Sequence, residues 1–217
     1  MNFFHRHLQG FVTDLRQVDD GISPIRLVVI AGDLPGKFDD VRETYLEVPS
    51  NLPPFEERPA MKALEVAAAA AEALASGRYD IVRVNLANGD MVGHTGDLAA
   101  TIASCAAADV ALGVMLDAVE AAGGAFIVTA DHGNADDMAQ RDKKGQPLRD
   151  AAGKVLARTS HTLAPVPFCI GGPGLLPGTV LRNDVPTPGL ANVAATEIEL
   201  LGFQAPTNFE PSLLQPT

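Results

Sequence analysis

The strongest constraint on this fold is an alternation of short apolar runs and helix-length stretches. "SPIRLVVIAGD" reads as a strand over about 25 to 31, ending in a Gly-Asp turn. "ETYLEVPSN" is a second, shorter strand candidate. "YDIVRVNLANGD" gives a strand over about 80 to 87, stopped by Asn88-Gly89. "AFIVTADHG" and "VPFCIGGPG" supply two more. Between them, "LPPFEERP" is a Pro-punctuated loop, and "AMKALEVAAAAAEALASG" has high helix propensity with a Gly where a C-terminal cap belongs. "GDLAATIASCAAADVALGVMLDAVEAAGG" is a long helical pattern closed by Gly123-Gly124, and "GLANVAATEIELLGF" is a further helix. The strands are apolar on both faces, so they need helices above and below. That predicts a mainly parallel sheet in a three-layer α/β/α sandwich.

Residues 25–217 read as a single domain, and 1–24 as an unassigned N-terminal segment. No internal repeat or low-complexity linker is evident. The stretch "NADDMAQRDKKGQPLRDAAGKVLARTSHT" is polar and irregular, a long loop or hairpin. Loops of that length in compact domains are usually functional or disordered.

The chain is long enough, at 217 residues and 47% hydrophobic, to bury a proper core. Its net charge of −11 argues against a nucleic-acid partner and against an anionic membrane. It does not argue against a phosphorylated small substrate, because a bound metal supplies local positive charge. Cys105 and Cys169 lie in apolar surroundings and read as buried reduced thiols. No run approaches the ~18 apolar residues of a membrane span, and the start lacks a signal peptide's apolar core. The expected location is cytoplasmic.

In α/β sheets ligands collect beyond the carboxyl ends of the strands. Three constellations lie there. In "NGDMVGHTGD", Asp90 and His94 are four apart, which suits one helical face, although Gly89, Gly93 and Gly96 argue for a tight loop. Either arrangement lets both side chains point to one spot; Thr95 or Asp97 can cap the next helix. In "VTADHGNADDM", Asp131 and His132 are adjacent. They would face opposite ways on a continuing strand but can share a cleft once the strand ends. In "RTSHTLAPVPF", His161 sits between hydroxyl residues ahead of Pro165 and Pro167. Singly, each has a bland reading as a turn or a loop histidine. Together, two carboxylates and three imidazoles without cysteine suit Mn²⁺ or Zn²⁺ better than Ca²⁺. Two such ions would clamp a transferring phosphoryl group. The other histidines, His5 and His7, read as a solvated end.

These motifs closely resemble the cofactor-independent (2,3-bisphosphoglycerate-independent) phosphoglycerate mutases, of the alkaline phosphatase-like superfamily. "GKFDD", "YLEVPSN", "PFEERPAMKALEV" and "GLANVAATEIELLG" agree as well, in the family's order, from about residue 36 to near the C-terminus. The resemblance implies two divalent ions, Mn²⁺ first, with Zn²⁺ or Mg²⁺ as alternatives. Asp90, His94 and His161 would hold one; Asp131 and His132 would help hold the other. It implies 3-phosphoglycerate as substrate, its phosphoryl group passing through a serine to the 2-position.

The departures from the family are equally specific. Members are more than twice this length. An N-terminal segment carries a further Asp ligand and the serine, and an inserted phosphoglycerate-binding domain carries arginines. This chain resembles the C-terminal segment alone. No serine motif stands near the start, the family's lysine is not visible near Ile22, and Asp14, Asp19 or Asp20 would replace the missing ligand only by accident of position. Arg58, Arg83, Arg141, Arg149 and Arg158 form no evident cluster. The expectation is therefore a mutase part that is incomplete by itself, with a partner chain or self-association covering a bare sheet edge. The alternatives are a stand-alone metal-dependent hydrolase that uses water in place of serine, and a non-catalytic metal-binding remnant.

Overall fold

A computed structural model describes residues 26–31 and 39–215. The readings made of residues 1–24 and of the Gly32-Asp33 turn lie outside the described residues. Strand β1 (Leu27–Ala31) is central and parallel to both β2 (Glu43–Glu47) and β3 (Ile81–Val84). The register runs from Leu27 opposite Glu43 and Ile81 to Ile30 opposite Leu46 and Val84. Helix α1 (Ala63–Ala75) covers one face, where Val28 and Ile30 pack on Val66, Ala70 and Ala73. On the opposite face Ile81 packs on Ile198 of helix α4 (Val193–Leu200), with Phe203 beside it. This is the expected helix–sheet–helix layering.

Strands β4 (Phe126–Thr129) and β5 (Phe168–Gly171) form a separate antiparallel pair among the described residues. The expectation of a parallel sheet holds for β1–β3 and not for this pair. The reason lies in the connection. Parallel strands need a crossover, usually a helix, to return the chain to the starting end. The segment between β4 and β5 contains no helix, so the chain turns back along itself.

Two further expectations are corrected. "NGDMVG" is not a tight loop but a short helix, α2 (Asn88–Gly93). Its two glycines are poor helix formers, and tertiary bonds hold the turn. The Asn88 amide donates to the Pro59 and Ala60 carbonyls, and the Ser104 hydroxyl donates to the Asn88 carbonyl. The second correction concerns helix α3 (Leu98–Ala122), which by length and composition alone is apolar enough to cross a membrane. Its many alanines accumulate apolar character without forming an obvious block, and Asp109 and Asp117 break the run.

Helix α3 starts at Asp97, whose carboxylate accepts from the Ala100 amide at 2.9 Å. It ends at Gly123 in the left-handed region, as a Gly terminator predicts. Ala63 and Ala67 of α1 meet Ala111 of α3 in a buried contact, where methyl-sized side chains let the helices approach closely. Leu98, Ile102, Val110 and Val114 point the other way and are exposed. Cys105 is on that exposed side and Cys169 is exposed on β5, so neither is the fully buried thiol expected. Partial burial still pushes the Cys105 thiol up from its ordinary value.

The long polar segment is ordered, and it contains a repeat that the sequence reading missed. "RDKKGQPL" (141–148) is followed directly by "RDAAGKVL" (149–156). Each copy makes the same turn. Asp142 Oδ1 accepts from the amides of Lys144 and Gln146, and Asp150 Oδ1 accepts from those of Ala152 and Lys154. Arg141 caps Gly145 O as Arg149 caps Gly153 O. A stem at Ala139–Ala157 closes both hairpins into a three-way junction. At its centre the amides of Gln140, Leu148 and Leu156 donate in a ring to the carbonyls of Leu156, Gln140 and Leu148. The repeat escapes a hydropathy reading because it is a repeat of turn chemistry, Asp and Gly at fixed offsets.

The starts of β1 and β3 are clamped by an exposed pair. Asp80 accepts from the backbone amide, Nε and Nη2 of Arg26 at 2.8, 3.1 and 3.2 Å. The side-chain bonds from Arg26 hold the Asp80 carboxyl below its ordinary value. A carboxyl lowered by folding stabilises at pH above its unfolded value, and that contribution is lost as pH falls through the folded value. Asp80→Asn is therefore expected to lower the urea midpoint at pH 7, with the difference shrinking below about pH 4. A deficit that persists unchanged in acid would show that Asp80 acts by shape and not by charge.

Candidate metal centre

Helix α2 places Asp90 and His94 one turn apart on the same face. The Asp90 Oδ1 and His94 Nε2 atoms are 3.1 Å apart. His161 arrives from the far end of the polar segment and completes a triangle. Its Nε2 is 3.1 Å from Asp90 Oδ1 and 3.1 Å from His94 Nε2. His132 Nε2 lies 3.9 Å from Asp90 Oδ1, and Asp131 Oδ1 lies 3.7 Å from His132 Nε2 at the exposed rim. Asp90, His132 and His161 can all offer donors within 4.8 Å of one another. All five residues singled out in the sequence thus gather at the ends of β3 and β4, with Asp90 as the hub.

The protonation logic of the triangle is informative. His94 Nδ1 is 2.7 Å from the Thr159 carbonyl, which can only accept, so Nδ1 carries a proton and, in the neutral ring, Nε2 presents a lone pair. A carboxylate oxygen is likewise an acceptor. These atoms meet His161 Nε2 at equal 3.1 Å separations, a spacing that a shared cation stabilises. An equilateral triangle of that edge has its centre about 1.8 Å from each corner, close to the ~2.0–2.2 Å of metal–nitrogen and metal–oxygen bonds. The donor set therefore fits a divalent ion, and the Thr159 carbonyl orients its imidazole ligand in the usual way.

Two loops form the floor of the site. The Gly133 and Thr162 backbones bridge, with the Thr162 amide donating to Gly133 O at 2.8 Å. The Thr162 hydroxyl donates to the Asp136 carboxylate at 2.8 Å. This clip stacks the His132 and His161 rings, centroids 3.6 Å apart. The hairpin junction steadies the same corner. Arg141 and Arg158, which looked scattered in sequence, both reach Asp137, at 2.8 and 3.9 Å. Arg158 also donates to the His161 carbonyl. Bonds from Arg141 hold the Asp137 carboxyl below its ordinary value.

Behind the site, burial pulls the Arg83 guanidinium down from its ordinary value, opposed by Glu197, Glu43 and Asp131. Burial pushes the Glu197 carboxyl up, opposed by Arg83. The sequence carries no signal for this interaction, because Glu197 and Arg83 are far apart in it. It did hold a signal for the clip, since Gly133 follows the Asp-His pair and Thr162 follows His161.

A Cβ at Gly133 would collide with the Thr162 hydroxyl and come within 2.5 Å of Asp136 Oδ1. Gly133→Ala is expected to destabilise the fold by about 1–3 kcal/mol through overpacking. Adding Thr162→Ala should restore part of the loss by removing the struck hydroxyl. Chemical denaturation of both variants checks this, and a fully additive pair would show that the clip is not the origin.

The sequence profile of the Metalloenzyme superfamily matches residues 27–205. The 2,3-bisphosphoglycerate-independent phosphoglycerate mutase of Zea mays is 57% identical over 185 residues, and that of Trypanosoma brucei brucei 54% over 184. Each alignment covers 85% of this chain and 33% of the relative, so the chain spans about a third of the length of these curated relatives. Among solved structures, Leishmania mexicana phosphoglycerate mutase at low cobalt concentration superposes with a TM-score of 0.85 at 50% identity. It covers 89% of this chain and 38% of its own. The superposition agrees with the fold expected from the sequence, and the Leishmania structure is one at low cobalt concentration. This chain, with its donors gathered on one carboxylate, belongs to the Metalloenzyme superfamily and is similar to the C-terminal part of cofactor-independent phosphoglycerate mutases.

Proposed function

We propose that this chain carries the metal-binding part of a phosphoglycerate mutase, which interconverts 3- and 2-phosphoglycerate in glycolysis and gluconeogenesis. The observation that carries the reading is the 3.1 Å triangle of Asp90, His94 and His161. These three would hold one divalent ion, and Asp131 with His132 would help hold a second. Mn²⁺ is the first choice, with Zn²⁺ or Mg²⁺ as alternatives, because carboxylate and imidazole without thiolate suit such ions. When bound, the ions neutralise charge on a transferring phosphoryl group and lower the pKa of the attacking hydroxyl.

The chain's own residues do the holding and orienting. Thr159 O fixes the His94 tautomer, the Asp136–Thr162 clip holds His132 against His161, and Asp131 stands at the open rim. The donors are one-quarter to one-half exposed, which leaves room for a phosphorylated small molecule. The serine nucleophile, a further Asp ligand and the phosphoglycerate-binding arginines would come from additional polypeptide, in the same chain or another. Among the described residues, β3 pairs only with β1 and β4 only with β5. Each thus has an edge on which a partner strand, or a second copy, could add. A cytoplasmic location without nucleic-acid or membrane partners completes the proposal, supported by the acidic charge.

The test uses the chain with and without Mn²⁺. Mn²⁺ at 100 times its Kd should stabilise the protein by about 2.7 kcal/mol. Asp90→Asn and His161→Ala should abolish that gain. By itself the chain should not convert 3- to 2-phosphoglycerate, and rapid turnover would overturn the need for more polypeptide. Hydrolysis of p-nitrophenyl phosphate that disappears in His132→Ala would favour the stand-alone hydrolase. A melting temperature indifferent to Mn²⁺, Zn²⁺ and Mg²⁺ would sink the metal assignment.

A further inference from the structure

Asn134 is the buried neighbour of the hub carboxylate. It is 6% exposed, three residues beyond Asp131. Its amide nitrogen donates to Asp90 Oδ1 at 2.7 Å and lies 3.3 Å from the Asp90 carbonyl. Both partners are acceptors, so the nitrogen end of the amide must face them. That orientation sends Asn134 Oδ1 the other way, where it is buried without a partner among the described residues. Leaving a buried amide oxygen unpaired costs on the order of 1–3 kcal/mol. The amide would not be held this way for stability alone, because its other end would fare better in water.

The oxygen is accommodated by the absence of a side chain on α2. A Cβ at Gly93 would stand 2.5 Å from Asn134 Oδ1. Gly93 is buried, and Asp90, Gly93 and His94 share the one short helix. The helix therefore supplies two ligands and also the space into which the amide turns. The bond matters because Asp90 Oδ1 is the atom that faces His94 and His161 at 3.1 Å.

We infer that Asn134 is a positioning residue: it fixes the Asp90 carboxylate so that Oδ1, and not a freely rotating pair of oxygens, is presented to the cation. The amide occupies one lone-pair direction of Oδ1 and leaves the other for the ion. Asp90 is thereby held to bind through one oxygen. Gly93 acts in the same device by leaving room for the amide. This inference rests on the metal reading above. Outer-shell partners of metal ligands commonly contribute about 10–100-fold in affinity.

The test measures Co²⁺ binding to the full chain by calorimetry, together with the visible spectrum of the bound ion, which reports its coordination geometry. Asn134→Ala is expected to weaken Co²⁺ binding by about 10–100-fold and to alter the spectrum. Its metal-free denaturation midpoint should stay near the parent's, because the orphaned oxygen leaves with the lost bond. Gly93→Ala should reproduce the weakening by displacing the amide. The double variant should bind no worse than Asn134→Ala alone, since both changes remove one interaction. Asn134→Ser provides a second truncation if the alanine variant does not fold. Parent-like affinity and spectrum in the Asn134 variants would overturn the positioning role, as would weakening matched by an equal loss of metal-free stability. Absence of Co²⁺ binding by the parent would overturn the metal reading and this inference together.

Discussion

Everything at this site depends on gathering groups that, with the imidazoles neutral, repel. Asp90 Oδ1 and the lone pair of His94 Nε2 are 3.1 Å apart, and His161 Nε2 closes on both. Water would solvate these groups separately, so the fold must supply the force that assembles them. It does so with two rigid attachments. Asp90 and His94 need only one turn of helix, and the helix is pinned through Asn88 to the carbonyls of Pro59 and Ala60 and through Ser104 to α3. His161 has no helix and depends on the clip between Gly133 and Thr162. The repulsion then becomes affinity, because a cation relieves in one step what the scaffold has already concentrated.

The clip has its own cost. Residues 134 to 161 lie between His132–Gly133 and Thr162, and closing a flexible loop of roughly that length costs on the order of 3 kcal/mol in chain entropy. The twin hairpins lower this cost. They convert one long closure into two tight turns and a short stem, each with its own hydrogen bonds. Arg141 and Arg158 then tie the stem to Asp137 and to the His161 carbonyl. The segment that looks most expendable, polar and without core residues, is what brings two histidines 29 positions apart into a stacked pair.

Much of this was legible in the sequence, for identifiable reasons. Strands and helices were legible because their apolar patterns are local. The Gly123 terminator and the Asp97 cap were legible because capping chemistry depends on residue type. The ligands were legible because Asp and His at strand ends have few bland uses in combination. Three things were not. Helix α2 looked like a loop because Gly89 and Gly93 argue against a helix, and only distant bonds to Asn88 overrule them. The turn from parallel to antiparallel at β5 follows from what lies between the strands, not from the strands themselves. The convergence on Asp90 rather than a visible division into two sets of donors could not be read from spacing, since His132 is nearer in sequence to Asp131 yet also leans on Asp90.

The chain orients part of its site by itself and leaves other surfaces open. One of its donors is oriented by its own backbone, as Thr159 O shows for His94. Other surfaces do not close in this way. His132 Nδ1 is buried without a partner among the described residues, and β3 and β4 each have an edge with no described partner strand. The apolar ridge of α3 stays exposed. An orphaned imidazole nitrogen and unextended strand edges are points where further polypeptide would be stabilising. On the proposed reading, the nucleophile must arrive at the ligand set around Asp90.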